Sequence, residues 1–520
     1  MIMSKLQKIG LKTVSGIGIL IFLFLTVHSW CTTYRMYTDN EDLVVAGDSL
    51  LKHILVLAAG LIVVGVISKI SDYLSDRVIH GIAIGLSVLV TGIIIIIVQN
   101  AHAYAISTDQ LHVYLGAEEM AFDKLVEIRP GEYFGFFPYQ LYLSSLYAVM
   151  FRIFGKSSFE MVQNLHAVCV GLTFYFGFCI TGELFCGKKA KCLYLPIALA
   201  FIPLHLYSLF IYGEVLSAFG SMAGIYFWIK ANKKENGKGK LFGYFALTGL
   251  FMTVAYFARL SVIIVCIAMF IIQLLIFFKN RKLLPVILAA AVLALPVAGQ
   301  KMVLTSIEWQ TGVKFDHTVP IELRLAMGLQ GDVANGQAPG AYNSYPIATF
   351  SENQYDREIS IQEGNQYIQE RLAEWIQNPG DALLFFKTKL LNQWNEPSYS
   401  AFTVTRFMDE PKEWISSMYY GRVNEMLYAL LNQYQAVFYL AVFIYMVMLF
   451  RGSNEIAYLP GLVAIGGFLF SAIWEAKSRY ILPYIVILIP CFAGGMVIFY
   501  DKLAGLWKKY QPLKYIKTKG

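Results

Sequence analysis

Long apolar runs dominate this sequence and set the main limit on its fold. Stretches of about 17 to 22 residues with almost no charge recur along the chain, and each is long enough as a helix to cross a hydrocarbon core of roughly 30 Å. Of the 520 residues, 57% are hydrophobic and only 15% are charged, whereas a soluble domain is nearer a quarter charged. A transmembrane β-barrel would show short alternating segments instead. The sequence therefore predicts an all-α polytopic membrane protein.

Twelve of these runs are predicted to span the membrane as helices. The predicted spans cover residues 14–32, 51–69, 80–98, 160–182, 190–209, 213–230, 241–257, 259–278, 282–299, 432–450, 457–474 and 480–500. The first run follows Lys5, Lys8 and Lys12 and is too long for a typical signal-peptide core, so we expect it to remain as a span. The net charge of +7 is interpreted as topology, and no nucleic-acid partner is predicted.

Residues 137–154 decide the predicted topology, because they could form a thirteenth span. If they crossed, the lysine-rich loops, such as 230–240, and the C-terminal tail would all face outside. Lysine and arginine in short loops are strongly biased to the cytoplasm. We therefore expect 137–154 to be an amphipathic juxtamembrane helix on the outer face. Both termini are then cytoplasmic, and residues 99–136 and 300–431 lie outside.

Five regions follow from this topology. They are an N-terminal three-span region (1–98), a first outer catalytic loop with the juxtamembrane helix (99–159), a central transmembrane core (160–299), an outer segment (300–431), and three C-terminal spans with a basic cytoplasmic tail (432–520). Within the outer segment, "EGNQYIQERLAEWIQ" and "DALLFFKTKLLNQW" have the period of helices. This predicts a small ordered cap over the membrane domain.

Three single charged residues are placed at predicted outer ends of spans. Asp109 follows the third span by about ten residues, in the first outer loop. Glu214 lies where two spans meet with almost no loop, and Arg259 lies at an outer end that the positive-inside bias disfavours. Each also has an ordinary explanation: a solvated loop acid, an acid favoured by a helix dipole, and a snorkelling arginine. Acids at a membrane edge are nevertheless functional candidates.

The stretch 472–484, "AIWEAKSRYILPY", is harder to explain as a simple boundary between spans. It places Glu475, Lys477, Arg479 and Tyr480 together at the predicted outer mouth between the last two spans. Two cations on the disfavoured side, beside an acid and a tyrosine, suggest a binding site. Arginine suits phosphate because its donors form a rigid fork. The alternative is that Arg479 only anchors the helix at the membrane surface.

Several catalytic motifs of soluble enzymes are missing from the sequence. It contains no P-loop, no H-E-x-x-H, no D-x-D and no G-x-S-x-G. A nucleotide-sugar enzyme would normally bring a cytoplasmic Rossmann-like domain, and no predicted inner loop is long enough for one. An enzyme with this sequence would therefore use a membrane-borne donor, with its chemistry on the outer side.

Stretches of the chain resemble the GT-C superfamily of membrane glycosyltransferases. "WEAKSRYILPYIVILIP" is similar to the last-span signature of its bacterial members. Further matches, in the same order as in the family, are the Asp109 loop with "YFGFFPYQLYLSSLYAVMFRIFG", then "IYGEVLSAF", "LFMTVAYFARLSVIIVCIA", and "VPIELRLAMGL" followed by "GAYNS". The resemblance covers about residues 99–500. Two extra spans before the first catalytic loop, and Glu rather than Asp at position 214, depart from the family pattern.

The resemblance implies a GT-C-like helical bundle that moves a sugar from a polyprenyl-phosphate donor to a lipid, glycan or protein acceptor outside the membrane. Asp109 would be the catalytic base, with Glu118 and Glu119 as alternatives, and Glu214 a second catalytic acid. The donor would be bound by Arg259, Arg479, Tyr480, Glu475, Lys477 and Tyr133. Among these residues, Glu475 would orient Arg479. No cofactor is predicted with certainty, and a divalent cation is left open.

Two other functions fit the same pattern of spans. An O-antigen-type polymerase or ligase also has about twelve spans and a large outer loop, but uses a lipid-diphosphate donor. A transporter or flippase would show inverted repeats and helices broken at the bilayer midplane. Charges at the predicted outer face, with few in mid-span, favour the enzyme.

Overall fold

The computed structural model describes residues 2–36, 43–104, 108–122, 131–185, 187–233, 236–333, 336–452 and 454–505. The predicted basic tail beyond residue 505 and parts of the first outer loop lie outside the described residues. Most of the described chain is helical. One short antiparallel hairpin, which pairs Thr32 with Gly47 and Met36 with Leu43, joins the first two long helices.

The N-terminal half forms helices that follow the apolar runs. It contains α1 (Ile2–Cys31), β1 (Thr32–Met36), β2 (Leu43–Gly47), α2 (Leu50–Tyr73), α3 (Asp76–Ala101), α4 (Thr108–Ala121), α5 (Tyr133–Phe136), α6 (Gln140–Phe154), α7 (Phe159–Leu184), α8 (Lys188–Leu199), α9 (Ile202–Leu206), α10 (Glu214–Ala231), α11 (Lys238–Ala258), α12 (Ile263–Asn280) and α13 (Leu284–Thr311).

The C-terminal half begins with the short helices of the outer segment. It contains α14 (Ile321–Gly328), α15 (Tyr345–Glu352), α16 (Arg357–Gln377), α17 (Pro379–Trp394), α18 (Ala401–Val404), α19 (Glu413–Tyr419), α20 (Gly421–Leu449), α21 (Leu459–Ile473) and α22 (Leu482–Leu503). The two cap helices expected from periodicity correspond to α16 and α17. Asn378 separates them, and α17 ends before Pro397.

The all-α membrane fold is confirmed, whereas the number of spans stays a prediction. Among the described residues, ten helices are long and apolar enough to cross a membrane. An eleventh span is possible if α8 and the bent segment that follows it, up to Leu209, cross as one unit. The remaining predicted span corresponds to α10, whose 18 residues begin with Glu214 and include Lys230.

Helix α6 is too short to be the thirteenth span. Its 15 residues rise about 22 Å at 1.5 Å per residue, which is less than the hydrocarbon thickness of roughly 30 Å. It packs along α4 and buries one face that includes Leu141, Tyr147 and Phe151. This agrees with the expected juxtamembrane helix; which side of the membrane is the outer one stays a prediction.

The last long helix, α22, lies at the centre of the bundle. Every residue from 481 to 498 is buried, as expected of a helix that is apolar on all sides. It packs against α7, α8, α10, α20 and α21. A single 3₁₀ turn, Ser478–Ile481, leads into it. Because the helix is fixed by contacts all round, the turn at its start is fixed as well.

Candidate active site

Four separate parts of the chain meet at one end of the bundle. They are the first turn of α4 with Asp109, the first residue of α10 (Glu214), the junction between α11 and α12 (Arg259), and the turn before α22 (Arg479). These are the four charged positions that the sequence predicted to lie at outer ends of spans. Consecutive antiparallel spans place such positions at the same level of the membrane, and the packing of α10 against both α11 and α22 brings them into contact.

Ion pairs link the four side chains. Arg259 Nη2 donates to Glu214 Oε1. Arg479 Nη2 lies 3.6 Å from Asp109 Oδ2, and Arg479 Nε lies 4.0 Å from the same Glu214 oxygen. Glu214 is 1% exposed, so its charge has almost no contact with water and depends on the two guanidinium groups.

A glycine explains how Glu214 can approach Arg259 so closely. Gly213 is the residue just before α10, and a Cβ atom added there would overlap the carbonyl group of Ala258, the last residue of α11. Only glycine lets the start of α10 and the end of α11 approach this closely. The "YGE" sequence therefore positions the acid against the arginine that follows α11.

Asp109 and Arg479 border a cavity of about 590 Å³. Asp109 is on its wall and accepts a hydrogen bond of 3.0 Å from the Tyr133 hydroxyl. The ring of Tyr133 stacks on His112 at a centroid distance of 4.3 Å. Burial raises the pKa of the Tyr133 phenol well above its ordinary value, so it remains a hydrogen-bond donor to the carboxylate.

Glu475 lies on the same wall but does not contact Arg479 directly. Lys477 Nζ lies 2.9 Å from its Oε1 atom, and the Tyr480 hydroxyl donates to its Oε2 atom at 3.1 Å. Burial favours the neutral acid, but Lys477 and these hydrogen bonds outweigh it and hold the pKa of Glu475 below its ordinary value. Arg479 lies over the ring of Tyr480, 5.5 Å from its centroid. Tyr480 therefore contacts both Glu475 and Arg479.

An apolar groove of about 460 Å³ lies next to this cavity. The two spaces share wall residues, among them Tyr139, Tyr212, Arg324 and Tyr480. The rest of the groove is mainly hydrophobic and is formed by Tyr256, Phe257, Ile263, Ile264, Val319, Ile321 and Phe470, with Arg259 on its wall. A molecule with a polar head and an apolar tail could occupy both spaces at once.

Several charged side chains at the border have polar atoms without a partner. The Nε atoms of Arg259, Arg324 and Arg479, and Oε2 of Glu214, are buried and make no hydrogen bond. Buried polar groups in this state are uncommon and cost free energy. Three unpartnered guanidinium donors around the cavity and the adjoining groove suit an anionic ligand.

Some residues of this region were not predicted from the sequence. Arg324 and Tyr139 line both spaces. Arg324 belongs to the "VPIELRLAMGL" stretch, but the sequence alone assigns it no role in the site. Glu396 is fully buried and accepts hydrogen bonds from Ser398, Ser400, Tyr428 and Ser478. The last of these bonds fixes the residue next to Arg479. Glu396 and Ser478 are far apart in the sequence, so only the fold could reveal this link.

The alternative acids lie elsewhere. Neither Glu118 nor Glu119 is on the wall of the cavity or the groove, and Glu118 accepts a hydrogen bond of 2.7 Å from Ser157. Across the described part of the chain, no group of three or more His, Cys, Asp or Glu side chains is arranged to hold a metal ion.

The fold and this region define an all-α integral membrane protein with a charged cavity at one end of its helical bundle. The chain belongs to the family described as "Conserved hypothetical integral membrane protein", whose model matches residues 8–493. No curated protein matches the sequence.

Among solved structures, the chain is similar to ArnT from Cupriavidus metallidurans bound to undecaprenyl phosphate. The identity is 15%, the TM-score is 0.36, and 82% of this chain and 80% of ArnT are covered. It is also similar to the archaeal oligosaccharyltransferase AglB from Archaeoglobus fulgidus in complex with an inhibitory peptide and a dolichol-phosphate, with 13% identity and a TM-score of 0.37 over 83% of this chain and 51% of AglB.

Proposed function

We propose that this protein is a membrane glycosyltransferase that moves a sugar from a polyprenyl-phosphate donor to a hydroxyl group of a cell-envelope acceptor. The main support for the proposal is the way in which the cavity and the groove meet. A polar cavity with unpartnered arginine donors opens beside an apolar groove, and the two spaces share the wall residues Tyr212, Arg324 and Tyr480. A lipid-linked sugar phosphate has the matching order of groups, with sugar, phosphate and hydrocarbon in sequence.

The proposed reaction is a displacement at the anomeric carbon of the donor sugar. The acceptor oxygen forms a bond to this carbon, while the bond from the carbon to the phosphate oxygen breaks. The acceptor proton passes to Asp109, which has the carboxylate most accessible from the cavity, with 32% of its side chain exposed. The lipid phosphate leaves with an additional negative charge on its oxygen.

Two arginines stabilise that charge in the proposed mechanism. Arg259 and Arg479 are held in place by Glu214, and each lies over the rings of Tyr212 and Tyr480. Fixed donors of this kind lower the barrier because they need no rearrangement as charge develops. Glu214 lines neither space, so we assign it the positioning of the arginines; its predicted role as a catalytic acid stays a prediction.

The proposed location is the cell membrane, with both termini in the cytoplasm and the cavity at the outer face. The lysine-rich loop that contains Lys230 and Lys233 lies at the end of α10 opposite Glu214. The positive-inside bias assigns that end to the cytoplasm. The first outer loop and the outer segment then cover the cavity from outside.

The test has two steps. Mass spectrometry of cell-envelope glycans from a deletion strain identifies the missing sugar. Purified protein in liposomes is then given that sugar on a synthetic polyprenyl phosphate and, separately, on a polyprenyl diphosphate. We expect transfer from the monophosphate and a loss of about 10²- to 10⁴-fold in Asp109→Asn, with Glu118→Gln as the matched control that keeps activity. Transfer from the diphosphate alone, or equal activity of Asp109→Asn and the wild type, contradicts the proposal.

A further inference from the structure

A third arginine, Arg324, lies where the cavity and the groove meet. It belongs to α14 of the outer segment and is on the wall of both spaces. Its Nη2 atom donates to the carbonyl oxygen of Phe136 at 3.3 Å. The guanidinium carbon lies 5.1 Å from the ring centroid of Phe137 and 4.8 Å from that of Tyr139. These contacts fix the direction of the side chain.

The charge of Arg324 is not balanced by protein. Arg259 and Arg479 are paired with Glu214 and Asp109, and Lys477 is paired with Glu475. Within the described ranges, no carboxylate lies within ion-pair distance of Arg324, and its Nε atom is buried without a partner. An unmatched cation at a partly dry border favours an anion from outside the protein.

The helix that carries Arg324 is tightly fixed. A Cβ atom at Gly328, the last residue of α14, would overlap the carbonyl of Ile473 just before the "WEAKSRY" stretch. Gly364 of α16 similarly permits close contact with the backbone of Glu322 and Leu323. The position of Arg324 relative to the cavity is therefore set by backbone packing on two sides.

We propose that Arg324 binds the phosphate group of the lipid donor, so that the outer segment takes part in donor recognition as well as covering the site. This inference rests on the function proposed above. A sugar phosphodiester carries one negative charge, which a single unmatched arginine balances.

Binding of a short-chain polyprenyl methyl phosphodiester, which carries the single negative charge of the proposed donor, to the purified full-length protein in detergent tests the inference. The corresponding polyprenol is the uncharged control, and the ligand-dependent rise of the unfolding temperature gives both affinities. We expect the wild type to bind the phosphate more tightly than the alcohol. Arg324→Gln should weaken phosphate binding about 10- to 100-fold, the range of a charge-assisted hydrogen bond, and leave polyprenol binding unchanged. Arg422→Ala removes an exposed arginine of the same segment and should change neither affinity.

The outcomes separate this inference from the proposed function. Phosphate binding by Arg324→Gln that equals the wild type overturns the inference and leaves the proposed function standing. A wild type without preference for the phosphate overturns both. If Arg324→Gln is not recovered folded, Arg324→Lys takes its place: lysine cannot stack on Tyr139 and donate to both Phe136 and phosphate, so affinity should fall several-fold. Unchanged affinity in Arg324→Lys then overturns the inference.

Discussion

At the scale of single residues, the site depends on one carboxylate that two arginines share. Glu214 is almost completely buried, and its Oε1 atom faces both Arg259 and Arg479. Buried cations close to each other repel, and an anion between them compensates for this. The arrangement keeps both arginines charged and directed toward the border between the cavity and the groove.

Substitutions of Arg479 test this arrangement directly. Arg479→Lys keeps the charge but loses the planar fork that reaches Asp109 and Glu214 while lying over Tyr212. We expect Arg479→Ala to lose about 10²- to 10³-fold in transfer rate, as for other transition-state donors, and Arg479→Lys to recover little of it. Transfer from the polyprenyl-phosphate sugar in liposomes is the measurement, with the unfolding temperature as a check on folding. Wild-type transfer by Arg479→Lys would show that Arg479 acts only as a membrane anchor.

Sequence reasoning located single residues well where membrane topology constrained them. Asp109, Glu214, Arg259 and Arg479 are charged residues at predicted outer ends of spans, and the fold brings all four together. Sequence patterns predict the contacts of a residue less well in an irregular stretch, because there the contacts depend on the direction of each side chain. Glu475 is close to Arg479 in sequence, but it pairs with Lys477 and Tyr480. Arg324 and Glu396 depend on packing between distant segments, which no local pattern reports.

At the scale of helices and turns, the close contact between α10 and α11 controls the site. Gly213→Ala places a methyl group against the Ala258 carbonyl and forces the start of α10 away from Arg259. Overpacking of this kind typically costs about 1 to 3 kcal/mol, and it also separates Glu214 from its partner. We expect a lower unfolding temperature and a strong loss of transfer. Gly237→Ala is the matched control, because a Cβ there meets nothing within 4 Å; equal behaviour of the two variants would contradict this account.

A buried lysine of helix α17, Lys389, should make the stability of the protein depend on pH. Burial lowers the pKa of Lys389, whose Nζ donates to the carbonyl of Gly328, to about 7 from its ordinary 10.5. Between these values the unfolded chain binds a proton that the folded protein does not, so the free energy of unfolding rises with pH.

We therefore expect the unfolding temperature in detergent to rise from about pH 7 to about pH 10. Lys389→Met should flatten that rise, because it removes the group that titrates differently in the two states. Lys387→Met, which changes an exposed lysine of the same helix, should retain the wild-type slope. An unchanged slope in Lys389→Met would show that another group is responsible.

At the scale of the whole molecule, the predicted membrane topology places the cavity at the outer face and the loop between α10 and α11 in the cytoplasm. A cysteine at Gly237, between α10 and α11, should resist membrane-impermeant thiol reagents in intact cells, in a background without the native cysteines. A cysteine at Ser344, an exposed residue of the outer segment, should react. Permeabilised cells provide the control for accessibility at position 237. Labelling of position 237 in intact cells would reverse the orientation and place the cavity on the cytoplasmic side.

The apolar runs predicted most of the helices because the membrane leaves few other choices for an apolar chain. The hairpin between α1 and α2 was not predicted, since strands of five residues leave little signal. The number of spans is also not fixed by hydropathy. Helix α10 is surrounded by protein on nearly all sides, so its residues need not be as apolar as those of a helix that faces lipid.

The central position of α22 has a consequence for biosynthesis. The helices around it (α7, α8, α10, α20 and α21) all precede it in the chain, so the ribosome finishes the middle of the bundle after its surroundings. Until α22 enters, the neighbouring helices lack their contacts with it, and the turn with Arg479 does not exist. A nascent chain that stops short of α22 thus lacks the helix at the centre of the bundle, together with Arg479 and Tyr480 of the cavity wall. We therefore expect activity only once α22 has been made.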